Sequence, residues 1–163
     1  WIGKHSNIIN SKIGSWMFLG HLLSTEDLDA DKPSKASCGE CEKCIDACPT
    51  KAIEEPFIVN SKKCLAYHTL ENREKELPSN IINKMGNWIA GCDICQEVCP
   101  WNQKNIPKTS EPELQPSDWI INITKKDALS WNDSTWRENL KNSALKRMKP
   151  WMWRRNINSI SNN

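Results

Sequence analysis

A chain of 163 residues, 38% hydrophobic and with a formal net charge of +2, is long enough for one modest core or a small domain with appendages. Its most apolar stretch, IGSWMFLGHLL from Ile13 to Leu23, is interrupted by glycine, serine and histidine and falls short of a membrane span. The opening residues lack the basic segment, apolar core and small-residue cleavage site of a signal peptide, and a start at Trp1 rather than methionine predicts a piece of a longer or processed protein.

In chain order, the first strong feature is CGECEKCIDACPT, in which Cys38, Cys41, Cys44 and Cys48 stand at the spacing C-x2-C-x2-C-x3-C-P. This is the bacterial ferredoxin run: three closely spaced thiolates hold one 4Fe-4S cube and the fourth serves another. The following PTKAIEEPFIVNSKKC predicts a helical turn, a short strand at Phe57–Val59 and a turn into Cys64. PSNIINKMGN predicts a short helix from after Pro78 to Gly86. Next comes GCDICQEVCPWN, where Cys92, Cys95, Cys99 and Pro100 repeat the run without its first cysteine, a vacancy Cys64 can fill. The proline-punctuated stretch from Asn102 to Pro116 predicts a surface connection. Thr135 and Glu138 have the spacing of a capping box opening a helix through WRENLKNSALKRM, with Trp136, Leu140, Ala144 and Met148 on one face. Pro150 disfavours helical geometry at Lys149.

Crosswise pairing of the two runs puts cluster 1 on Cys38, Cys41, Cys44 and Cys99, and cluster 2 on Cys64, Cys92, Cys95 and Cys48. All eight cysteines are then used. Pro49 and Pro100, which lack an amide hydrogen, turn the chain away after each crossing ligand. Two structural zinc sites would consume the same eight thiols, but zinc knuckles are paired cysteines rather than three at x2 spacing. A secreted disulfide framework would scatter its cysteines between loops, so the tight grouping predicts a reducing, cytoplasmic setting.

Five segments, WIGKHSNIINSKIGSWMFLG, CGECEKCIDACPTKAI, CLAYHTLE, MGNWIAGCDICQEVCPWN and NSALKRMKPWMWRRN, resemble in the same order those of the epoxyqueuosine reductases. The ferredoxin run is shared with many families; the WIGK block and the GCDICQ…CPWN ending make the resemblance specific. It implies an α+β fold: a ferredoxin-like two-cluster module at 33–104, preceded at 1–32 by the end of a cobalamin-binding α/β domain and followed at 105–163 by a linker and a basic helical region. It also implies an oxidoreductase that uses cobalamin and two 4Fe-4S clusters to reduce epoxyqueuosine to queuosine at the wobble position of tRNA. An external donor would supply the electrons, and the enzyme would be a monomer without membrane attachment.

The residue that protonates the substrate in this family lies upstream of the WIGK block, so no catalytic residue is assigned in this chain. The resemblance assigns cobalamin contacts to Ile8, Ser11, Ala66 and Asp93. The sequence departs from the family at His5, where asparagine is usual, at His68, at Trp88 in place of arginine and at Ile94 in place of a second aspartate. The three histidines, His5, His21 and His68, read as polar surface groups rather than cobalt ligands.

Charge is uneven. No acidic residue follows Glu138, so the tail carries +6 and the rest −4. Basic residues interleaved with Trp151 and Trp153 suit RNA, with Lys146, Arg147, Arg154 and Arg155 as candidate phosphate contacts and the tryptophans packed into the protein. Two other functions fit part of the pattern: a plain two-cluster ferredoxin, which leaves the WIGK block and basic tail unexplained, and a reductive dehalogenase, which has no need of a basic tail.

Overall fold

The computed structural model describes residues 1–104, 106 and 108–160. Among these the helices are α1 (Lys43–Ala47), α2 (Leu65–Leu70), α3 (Ser79–Ile82), α4 (Ile94–Glu97), α5 (Asp118–Asn122), α6 (Lys125–Ser130), α7 (Asp133–Asn139) and α8 (Pro150–Ser159). Strands β1 (Ile53–Glu55) and β2 (Ile58–Val59) form an antiparallel hairpin with Ile53 opposite Val59. The expected helical turn before the strand is β1 instead: the chain reverses at Pro56 and Phe57, and Phe57 takes a φ of 73°. No described helix is long and apolar enough to cross a membrane.

The chain forms two compact units that do not follow sequence order. The first comprises Trp1–Cys48, Ile53–Val59 and Asp93–Pro107; the second comprises Pro49–Ala52, Asn60–Cys92 and Lys108–Asn163.

In the first unit, α1 packs against α4 and against β1. Its opening loop is folded on itself by bridges between Ile2 and Ile8 and between Asn10 and Gly14. Residues 16–37 hold no helix or strand, and Phe18, Leu22 and Leu23 are exposed.

The second unit carries the larger apolar cores. Ala128, Trp131, Trp136, Leu140, Met148, Met152, Trp153 and Ile157 bring α6, α7 and α8 together. Trp131 and Trp153 stack at 5.5 Å with an interplanar angle of 9°. A second cluster unites Leu65, Leu77, Ile81 and Met85. Burial of each large side chain contributes about 1.5–3 kcal/mol, which is why these positions hold the unit together despite its short helices.

Local hydrogen bonding shifts the helix boundaries from those expected. Asn132 rather than Thr135 caps α7, its Oδ1 accepting the Thr135 N–H at 2.9 Å. The reciprocal capping box is instead at Thr124 and Asp127, opening α6, and the hydrogen bonds from Thr124 hold the Asp127 carboxyl below its ordinary pKa. The expected long helix through Met148 stops at Asn139, because Ser143 accepts from Leu145 N–H and starts a separate 3-10 turn at Ala144–Arg147. Trp136, Leu140 and Met148 still meet in the core, but Ala144 is exposed and Leu145 packs in its place. Similarly, only Ser79–Ile82 of the expected 79–86 helix is helical; Gly86, with φ 53°, lies in the turn beyond it. Lys149 is extended, as Pro150 requires, and Pro150 starts α8 at a position where its missing N–H costs nothing.

Candidate metal centre

Cys38, Cys41, Cys44 and Cys99 line one cavity of about 320 Å³, shared with His5, Ser37, Pro100, Trp101 and Lys104. The backbone places each thiol. Cys41 N–H donates to Cys38 O at 3.1 Å across a turn in which Gly39 has φ 51°. Cys44 lies on α1 and is buried, which pushes its thiol above the ordinary value. Cys99 follows α4, its N–H donating to Gln96 O at 3.1 Å, so the α1–α4 contact brings the fourth thiol to the first three. At the rim, Lys104 Nζ sits 3.7 Å from the centre of the Trp101 ring.

The donors fit an iron-sulfur cube. A zinc ion would draw four sulfurs to about 2.3 Å from one point, whereas a cube is held at its corners and needs thiols spread around a cavity. Four cysteines around one cavity supply the thiolate set that such a cube takes.

The other four cysteines are divided between the units. Cys48, at the C-terminal end of α1, and Cys95, on α4, belong to the first. Cys64, at the start of α2, and Cys92, packed on the Leu65–Met85 cluster, belong to the second.

Of the expected cobalamin contacts, Ile8 is 43% exposed and lines a groove of about 500 Å³ with Asn7, Ser15, Trp16, Phe18 and Gln96. Ser11 is exposed in the first unit, and Ala66 is half-buried on α2 in the second. Asp93 precedes α4 and accepts from Gln96 Nε2 at 2.8 Å. Sequence reasoning missed what Gln96 belongs to. Ser15 Oγ donates to Gln96 Oε1 at 2.8 Å, Asn102 Nδ2 donates to Ser15 Oγ at 2.8 Å and to Gln96 O at 2.9 Å, and Asn102 Oδ1 accepts from Ser15 N–H at 2.7 Å. This clamp ties the groove to the loop following Cys99. Gly14 makes it possible: its φ is 69°, and a Cβ there would collide with Asn102 Oδ1 and Trp101 O. The IGS and CPWN segments of the sequence carried that signal.

Two histidines expected at the surface are buried. His68 donates from Nε2 to Lys62 O at 2.8 Å and accepts at Nδ1 from Asn72 Nδ2 at 3.0 Å, so it is a structural bridge. His5, at 5% exposure, lines the thiol cavity, and burial lowers its pKa. His21 is exposed.

The basic tail divides in the same way. Lys146 is exposed, Arg147 pairs with Glu71 at 2.5 Å, and Arg154 pairs with Asp133 at 2.6 Å, all on the surface of the second unit. Arg155 is buried, with Nη1 donating to Asn72 O at 2.9 Å and Glu74 O at 2.5 Å, and Nη2 to His68 O at 2.9 Å. It also donates to Asn156 Oδ1, while Asn156 Nδ2 donates to Thr69 O and Ile89 O, both at 2.8 Å. Its donors are therefore directed into the fold. Trp153 is buried as well, its Nε1 donating to Ala128 O at 3.0 Å.

A family model described as a 4Fe-4S double cluster binding domain matches residues 37–102, the span that holds all eight cysteines. An epoxyqueuosine reductase of Prochlorococcus marinus is 82% identical over 161 residues, 99% of this chain. The chain is related to the epoxyqueuosine reductases. One from Synechococcus sp. (strain CC9605) is 57% identical over 96% of the chain. The chain spans about half the length of both, 52% and 49%. Among solved structures, the epoxyqueuosine reductase of Bacillus subtilis matches 98% of this chain and 42% of its own with a TM-score of 0.88 at 30% identity. An epoxyqueuosine reductase crystallised with an epoxyqueuosine-modified tRNA-Tyr stem loop matches with the same TM-score, identity and coverage.

Proposed function

We propose that this chain is the electron-delivering and tRNA-binding portion of an epoxyqueuosine reductase that reduces epoxyqueuosine to queuosine at the tRNA wobble position. The observation that carries this reading is the cavity walled by Cys38, Cys41, Cys44 and Cys99 in a chain 82% identical to such an enzyme. Those four thiolates hold one 4Fe-4S cluster, and Cys48, Cys64, Cys92 and Cys95 hold the second. The repeated cysteine spacing and the double-cluster family model support that division. A ferredoxin-like plan for this module is supported by α1 and α4, which pack together and each lead into a Cys-Pro step.

The groove beside Ile8 has the apolar wall that a corrin needs, with Trp16 and Phe18 exposed along it. Bound there, cobalamin would supply a strongly reducing cobalt centre, fed one electron at a time by the clusters. The Ser15–Gln96–Asn102 clamp would hold the loop carrying Cys99 against that groove. Ser11, Ala66 and Asp93 remain the other residues assigned to this cofactor. The full-length protein, loaded anaerobically with both clusters and cobalamin and supplied with reductant, should convert an epoxyqueuosine-containing anticodon stem-loop to a product one oxygen lighter by mass. A plain ferredoxin would give no conversion.

We assign phosphate contact to Lys146, Arg147 and Arg154 and exclude Arg155 from it. The Arg147–Glu71 and Arg154–Asp133 pairs lie at the surface, where an ion pair is worth about 0–1 kcal/mol and yields readily to phosphate. Each phosphate contact releases counterions, so replacing the three by alanine should weaken stem-loop binding and reduce its salt slope by roughly one unit per contact. Titrations at several salt concentrations, with cluster content monitored in parallel, measure this; an unchanged slope would exclude the tail from the RNA interface.

A further inference from the structure

His5 sits in a turn that is tied down on both sides. Gly3 N–H donates to Asn7 O at 2.8 Å, Ser6 Oγ donates to Phe57 O at 2.9 Å, and Phe57 N–H returns to Lys4 O at 2.9 Å. Lys4 in turn lies 3.6 Å from Glu42, immediately before α1. The ring itself is packed: a Cβ on Gly3 would come within 3.1 Å of His5 Cε1.

The hydrogen bonding of the ring favours one tautomer. Nδ1 accepts the Asn7 backbone N–H at 3.2 Å, so it carries no hydrogen. A neutral imidazole must then carry its proton on Nε2. That atom is buried and has no acceptor among the described residues, unlike His68, both of whose nitrogens are matched. A buried donor without an acceptor loses its hydration for nothing in return. The same ring lines the cavity formed by Cys38, Cys41, Cys44 and Cys99.

We propose that His5 Nε2–H donates a hydrogen bond to a sulfur of the cluster held by Cys38, Cys41, Cys44 and Cys99, raising its reduction potential. The inference rests on the iron-sulfur reading of that cavity. Reduction adds negative charge to the sulfurs, so a donor aimed at them favours the reduced state more than the oxidised one. His5 is thus a positioning and tuning residue, not a ligand.

The test uses the full-length protein with both clusters loaded. In His5→Phe, which keeps a flat ring and removes the donor, a redox titration followed by electron paramagnetic resonance should show this cluster shifted to a more negative potential and the other unmoved. His5→Asn, which restores an amide donor, should recover part of the shift. An unshifted potential in a fully loaded His5→Phe protein overturns the proposal. Should that variant load poorly, native protein labelled with 15N-histidine gives a second reading: pulsed resonance should detect a histidine nitrogen coupled to the reduced cluster and lose it in His5→Asn. Absence of that coupling in native protein also overturns the proposal. Recovery of zinc without iron would instead defeat the iron-sulfur reading on which it depends.

Discussion

Replacing Cys99 by alanine should remove one cluster and spare the other. The cavity loses the one thiol that comes from the second cysteine run, so Cys38, Cys41 and Cys44 are left with three corners of a cube to hold. Iron per protein should fall to about half in anaerobically reconstituted full-length enzyme, and the resonance signal that remains should be that of the intact cluster. Cys48→Ala should give the complementary loss. A Cys99→Ala protein that keeps the signal lost in Cys38→Ala would refute the crossed arrangement. The effect on reduction should be near total, because an electron path missing one relay cannot be restored by binding energy elsewhere.

Arg155→Ala should destabilise the protein by about 3 kcal/mol or more, although its neighbour Arg154→Ala should cost no more than about 1 kcal/mol. The difference is environmental. Arg154 shares a surface ion pair and a longer bond to Trp131 O at 3.3 Å, while Arg155 is 9% exposed and binds the carbonyls of His68, Asn72 and Glu74, so truncation strands three acceptors and the Asn156 Oδ1 together. Burial and the nearby Arg73 depress its pKa, yet a guanidinium remains charged at any pH at which the protein folds. Urea denaturation of the two variants, compared at equal cluster loading, measures the gap; equal midpoints would refute the structural role. Arg155→Lys should rescue little, since an ammonium cannot reproduce the planar fork.

That contrast also shows what could be read from sequence and what could not. The cysteine spacing was legible because metal ligation imposes a rhythm that no other constraint produces. The mixed helix and strand content came with the family resemblance, and the packing of Trp136, Leu140 and Met148 from their apolar spacing. Two adjacent arginines in a basic tail look alike on paper. Only the register of α8, in which Arg155 follows Met152 by three residues and precedes Asn156, would have turned it inward. His5 was illegible for another reason: a lone histidine in a loop has no periodicity, and its neighbours Ser6 and Lys4 are held by Phe57 and Glu42, far away in the chain. Strand β1 was missed because Glu54 and Glu55 favour a helix locally, whereas pairing with β2 decides the backbone.

The two compact units are stitched from alternating lengths of chain, and this sets a timetable for the protein's birth. As the polypeptide leaves the ribosome, Cys38, Cys41 and Cys44 emerge long before Cys99, and the unit that holds them is completed only by the segment beginning at Asp93. Three thiols must therefore wait without their fourth partner while the intervening residues are made. If these thiols hold a cluster, iron delivery to them belongs after translation of the second cysteine run, and a ribosome stalled between the two runs would release a chain unable to retain its metal.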